Sequence, residues 1–177
     1  MSKKIITISL DSDSIDKAIK DLEQYKNDIV QKTNILRKRV ADHIANVAQS
    51  GFNGAIVDDL LKGGAKMAQV DVKVDEHDNI SIVIANGEDA IWAEFGSGVY
   101  HNGRAGSSPH PKGDELGFTI GDYGKGMGKR NTWVYYEDGD KSHKVYTRGA
   151  PATMPMYNAV KQVIDDIQNI AKGVFND

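Results

Sequence analysis

The run from Ile15 to Val47 constrains the fold more than any other part of the chain. Ile15, Ile19, Leu22, Tyr25, Ile29, Leu36, Val40, Ile44 and Val47 follow at steps of mostly three, four or seven, with Thr33 filling the widest gap. Such spacing puts them on one stripe of a helix. No proline interrupts the run. Asp11, Ser12, Asp13 and Ser14 stand before it, residue types whose oxygens accept from the free N–H groups of a helix start. Gly51 is the expected stop. A helix of about 35 residues is roughly three times the mean length. It needs a surface to lie on, either its own sheet or a neighbouring subunit.

The remaining pattern is mixed. Ile6, Ile8 and Leu10 alternate within residues 4–10 and predict a strand. Residues 51–66, with Ile56, Val57, Leu60 and Leu61 before Gly63-Gly64, read as a loop with a helical turn or two. Val70, Val72 and Val74 alternate with Asp71, Lys73 and Asp75. Ile80, Ile82 and Ile84 alternate with Ser81, Val83 and Ala85, and Glu76-His77-Asp78-Asn79 is a turn composition, so a hairpin is expected here. A short helix is expected over 88–95, and strands over 132–136 and 143–147 joined by Glu137-Asp138-Gly139-Asp140. Pro155 suits the first turn of a last helix, whose stripe is Met156, Val160, Val163, Ile164, Ile167, Ile170 and Val174. The order predicts an α+β fold. An antiparallel sheet packs against a long N-terminal helix and a C-terminal helix, in a single domain spanning 1–177.

Residues 96–131 hold ten of the 18 glycines and few apolar side chains. Ordering such a stretch costs much backbone entropy with little apolar area to offset it, so residues 99–131 are expected to be a mobile loop. An apolar content of 40% with 7% aromatics fits one modest core plus much loop. A net charge of −3 gives no electrostatic case for broad nucleic-acid binding or a polybasic membrane anchor. The chain has no cysteine, which excludes disulfides, thiolate metal sites and thiol catalysis. The apolar start runs too soon into Asp11-Ser12-Asp13 for a signal peptide, and no run reaches the roughly 20 residues that span a bilayer. Synthesis in the cytoplasm is expected.

Specific chemistry finds little support. Gly121-Asp122-Tyr123-Gly124-Lys125-Gly126-Met127-Gly128-Lys129 lacks the Gly-Lys-Ser/Thr ending of a phosphate loop, and no apolar strand precedes it. His101, His110, Asp114 and Glu115 are the cluster nearest to a metal set, but their spacing is wrong and they read as exposed loop residues. Ser97, Ser107 and Ser108 lack the strand–turn–helix setting of a nucleophile. No catalytic residue, metal ligand or cofactor is therefore expected. Arg104, Lys112, Lys125, Lys129 and Arg130, interleaved with Tyr100, Phe118 and Tyr123, give only a weak case for nucleic-acid contact. A loop that orders on a protein partner fits as well. Glu94 stands out inside the short helix: it pairs across a subunit contact or faces water.

Two segments carry a resemblance. The first is Ala90-Ile91-Trp92-Ala93-Glu94-Phe95-Gly96-Ser97-Gly98; the second runs from Tyr146-Thr147-Arg148-Gly149-Ala150 to Pro155-Met156-Tyr157-Asn158-Ala159. In this order, after a long helix and a hairpin, they resemble the HK97 gp10-like family of tailed-phage proteins. The likeness lies in the aromatic-x-Glu-aromatic-Gly-Ser-Gly run and in the Pro-Met-x-x-Ala opening of the last helix. Ser97 stands where threonine is frequent in that family, and the loop 96–131 is longer than many members carry. The resemblance implies a virion structural protein of the neck or tail-completion region. It would be a homo-oligomer, a ring joining the head connector to the tail tube, with connector or adaptor and tail-tube or tail-terminator proteins as partners. It implies no enzyme, no cofactor, no membrane, and nucleic acid at most through lining a DNA passage. Glu94, Phe95, Tyr100, Arg104, Phe118, Tyr123, Lys129 and Arg130 are then the candidate contacts to a subunit or a neighbouring ring. The alternatives are a cytoplasmic enzyme with the glycine-rich loop as an active-site lid, and a nucleic-acid-binding module.

Overall fold

The computed structural model describes residues 6, 7, 9, 11–60, 62–98, 108–118 and 132–176. Helix α1 (Ser12–Asn53) is 42 residues long, roughly 63 Å at 1.5 Å per residue. Asp11 caps it, its carboxylate accepting from Ser14 N at 2.9 Å. Hydrogen bonds from the Ser9 hydroxyl and from backbone N–H groups hold the Asp11 carboxyl below its usual range. The helix does not stop at Gly51. It runs two residues further, to Asn53, with Gly54 after it. Gly51 serves a different end: a Cβ there would lie 3.0 Å from the Cβ of Pro155, so the glycine lets helix α3 (Pro155–Phe175) approach closely.

Residues 51–66 are a correction. They contain β1 (Ile56–Leu60) and β2 (Gly64–Met67), which pair antiparallel. The turn between them uses Gly63 and Gly64 at φ 119° and 88°, values open to glycine. The expected hairpin is β3 (Asp71–His77) with β4 (Ile80–Asn86), followed by helix α2 (Asp89–Phe95). Strands β5 (Trp133–Tyr136) and β6 (Lys144–Thr147) flank a 3-10 turn, Glu137–Gly139. The strands form two antiparallel sheets rather than one: β2-β1-β6-β5, and the separate pair β3-β4. The fold is α+β, as the sequence predicts. Of the strand expected at residues 4–10, Ile6, Thr7 and Ser9 are described and none is in a strand; the rest lies outside the described residues.

α1 and α3 run antiparallel. Pro155 lies against Gly51, Asp166 Oδ2 is 3.4 Å from His43 Nε2, and Arg39 Nη1 donates to the Gly173 carbonyl at 2.9 Å. On its other side α1 meets the hairpin. Gln49 donates to Val70 O and accepts from Val72 N, while Arg37 reaches Ser81 Oγ, Glu76 and the carbonyls of His77 and Asp78. Ala48, Phe52, Ala55, Val57, Ala93 and Ala159 form the core where α1, β1, α2 and α3 converge, with Ile44, Val47, Val70, Val72 and Met156 packed around it. Small residues dominate because backbones approach closely here.

Much apolar surface stays outside. Ile15, Ile19, Leu22, Tyr25 and Val30 on the N-terminal half of α1 are exposed. Among the described residues, side-chain bonds from α1 to α3 and to the β3–β4 hairpin begin only at Arg37. α3 buries Ala159, Val163 and Val174 but leaves Val160, Ile164 and Ile167 outside, so its stripe is split between two faces. In the hairpin, Ile80, Ile82 and Ile84 face away from α1 and are exposed.

Candidate functional site

α2 ends at Gly96, whose N–H bonds to Trp92 O at 2.8 Å and whose φ is 75°. The chain then runs alongside residues 148–154. Ser97 N donates to Ala150 O at 2.8 Å, Ala150 N to Ser97 Oγ at 3.0 Å, and Thr153 N to Ala93 O at 2.9 Å. Two backbones this close leave no room for side chains. A Cβ on Gly98 (φ 67°) would lie 2.5 Å from the Arg148 carbonyl oxygen, and one on Gly149 (φ 94°) 2.4 Å from Ser97 O. The two segments that stand out in the sequence, some fifty residues apart, are thus one corner of the molecule.

Glu94 is the keystone of this corner. It is 7% exposed. Its Oε2 accepts from Met156 N at 2.8 Å and its Oε1 from Tyr157 N at 2.9 Å. These N–H groups belong to the first turn of α3, where no intrahelical acceptor exists. Met154, before the helix, offers no side-chain cap, and Pro155 has no N–H. A carboxylate from another element therefore does the capping, and the positive end of the helix dipole favours its charge. The expected choice between water and a subunit contact is corrected: the carboxylate is spent inside its own chain.

His110 completes the arrangement. It is 8% exposed, which corrects its reading as an exposed loop residue. Its Nδ1 accepts from Lys112 N at 3.0 Å, so the ring proton sits on Nε2 and points at Glu94 Oε1, 3.2 Å away. Both ring nitrogens are used within the chain, which leaves the pair as a structural clasp and not as a free acid–base dyad. Phe95 stacks on Phe118 with ring centroids 4.0 Å apart and planes 6° apart, and His110 meets Phe95 and the edge of Tyr157. Ser108 Oγ donates to Phe95 O at 2.6 Å. Residues 108–118, part of the loop expected to be mobile, are packed onto the corner.

A second buried group lies under the sheet. Asp58 accepts from the Thr147 hydroxyl and, at 2.7 Å, from the Tyr135 hydroxyl, while Gly149 N donates to Thr147 Oγ1 at 2.8 Å. Burial first, then the hydrogen bond to Asp58 and its charge, push the Tyr135 hydroxyl from 10.0 up to about 12. Asp58 carries no mark of its own in the sequence. The Gly63-Gly64 pair between two apolar runs is the signal that makes β1 a strand, and it alone could have placed Asp58 in a sheet.

Of the eight candidate contact residues, the structure brings Glu94, Phe95 and Phe118 together. Tyr100, Arg104, Tyr123, Lys129 and Arg130 lie outside the described residues, as does His101. Asp114 and Glu115 are exposed, and among the described residues no group of three acidic or histidine side chains is placed to hold a metal ion. No described helix is long and apolar enough to cross a membrane. Comparison with models of protein families finds no match, and no curated protein or solved structure matches the chain.

Proposed function

We propose that the chain is a virion structural protein of the head–tail junction of a tailed phage, a subunit of a ring joining the head connector to the tail tube. The observation that carries the reading is the corner itself. The two segments on which the family resemblance rests meet through Ser97–Ala150, Thr153–Ala93 and Glu94–Met156 hydrogen bonds, so they act as one structural unit. The corner fixes how α2 is joined to α3 and to residues 108–118, which suits a scaffold protein. The exposed apolar residues of α1 and α3 give further support, since apolar area of this extent suits contact with other protein surfaces. Head-to-tail contacts between identical subunits close into a ring when the rotation fits. The partners are then a connector or adaptor protein on one side and a tail-tube or tail-terminator protein on the other, with DNA touched only as it passes through. Phe95 and Phe118 belong to the subunit's own corner; Tyr100, Arg104, Tyr123, Lys129 and Arg130 are the proposed contacts to neighbours.

The test is removal of the gene from the phage or prophage that encodes it, followed by electron microscopy of the lysate. Filled heads and complete tails that fail to join, restored by supplying the chain in trans, support the proposal. Normal joined particles without the chain overturn it.

A further inference from the structure

We infer that β4 is an open sheet edge that pairs with β4 of a second copy of this chain. The inference concerns the free protein in solution and does not rest on the neck reading. It starts from the hydrogen bonding of the hairpin. Val72 N donates to Gln49 Oε1, so Val72 points its backbone away from β4. Its partner Ala85 is then in a non-hydrogen-bonded pair, and by alternation so are Val74–Val83 and Glu76–Ser81. The N–H and C=O groups of Ser81, Val83 and Ala85 therefore point outward from β4. Among the described residues no strand pairs with them.

The two edges of this hairpin are treated differently. The β3 edge is occupied at its start by Gln49 and carries Asp71, Lys73, Asp75 and Glu76 along the strand. The β4 edge, Ile80–Asn86, has no charge, no proline and no bulge, the devices that keep an edge from pairing with another chain. It also exposes Ile80, Ile82 and Ile84, with Ile80 60% exposed.

The partner that fits is the same strand turned by a two-fold axis. Antiparallel pairing centred on Val83 sets Ser81 opposite Ala85 of the second copy, Val83 opposite Val83, and Ala85 opposite Ser81. Every outward N–H and C=O of the three residues then finds a partner. The same register places Ile82 opposite Ile84 of the second copy, twice by symmetry, in close non-hydrogen-bonded pairs. No charge opposes a like charge, because β4 has none. α1 packs over both β3 and β4. In the joined four-stranded sheet the two α1 helices lie on one face, two strand spacings or about 10 Å apart. That is the distance at which helices pack, so the helices fit beside one another and extend the contact beyond the strands.

The experiment uses the full chain, which has no cysteine of its own. Sedimentation equilibrium should show a dimer. Ile82→Cys and Ile84→Cys variants should form an oxidised, cross-linked dimer when mixed and little when each is alone, since identical positions lie on the longer diagonal. Ile84→Lys, at an exposed position, should keep its circular dichroism spectrum and weaken dimerisation about tenfold, while Ile164→Lys on α3 should leave it unchanged. A chain that stays monomeric overturns the inference. So does an oligomer that lacks the mixed cross-link, or one that Ile84→Lys leaves intact.

Discussion

A buried carboxylate is costly unless each oxygen finds a donor, and Glu94 meets that condition from residues sixty positions away. Glu94→Ala should lower unfolding free energy by about 2–4 kcal/mol, because it leaves two helix N–H groups and His110 without their acceptor. Glu94→Gln, which keeps one acceptor, should cost less, about 1–2 kcal/mol. Urea titration of the three proteins checks the order. Gly98→Ala should cost about 2 kcal/mol or more, since the new methyl meets the Arg148 carbonyl at a φ of 67°. At Tyr135 the raised pKa means that the folded state prefers the neutral hydroxyl. Its contribution is complete below the ordinary value of 10.0 and is lost as pH rises toward about 12. Stability measured across that window should fall less steeply in Tyr135→Phe, and tyrosinate absorbance should lose its latest-titrating component. The sequence marks Glu94 as odd, an acid between Ala93 and Phe95 in a short apolar helix, but says nothing of its partners. A single sequence carries no signal linking Glu94 to Met156 and Tyr157.

At the scale of elements, the helices were legible because their patterns are long. α1 begins at its Asp-Ser-Asp-Ser cap and α3 at Pro155, as their sequences imply. The strands β3 and β4 are legible from alternation, and β5 and β6 from β-branched and aromatic residues on either side of Glu137-Asp138-Gly139-Asp140. β1 is not, because Ile56, Val57, Leu60 and Leu61 also satisfy helical spacing, and two glycines read as easily as a loop as a hairpin turn. What the stripes did not reveal is which apolar residues remain outside. Ile164 and Val163 are adjacent in sequence, yet one is 64% and the other 4% exposed, since α1 covers only the face of α3 that Ala159 and Val163 share. Residues 108–118 carry a related lesson. The core cluster contains none of them, so a chain with residues 102–129 replaced by a short Gly/Ser linker should still fold. It should nonetheless lose about 1–3 kcal/mol, because His110 and Phe118 no longer pack on Glu94 and Phe95. Thermal unfolding of that variant beside wild type measures the cost. An unchanged midpoint would mean that the packed segment adds nothing to the corner.

At the scale of the whole molecule, the chain divides its work between two ends of α1. The C-terminal half of that helix packs on α3 and on the β3–β4 hairpin and supplies Ala48 and Phe52 to the core. The N-terminal half presents Ile15, Ile19, Leu22 and Tyr25 at its surface, with Leu22 54% exposed. The α+β class and the single-chain core followed from pattern. The separation of the strands into two sheets did not, because it depends on β1 pairing with β6, Leu60 with Thr147, residues distant in sequence. On the proposed function, the apolar surfaces should be covered by protein in an assembled particle. The most direct measurement is electron microscopy of intact virions labelled with an antibody fragment against this chain. Label is expected at the junction of head and tail in every joined particle, arranged around the tail axis. Virions without the chain, or label confined to the capsid shell or the distal tail tip, would contradict it.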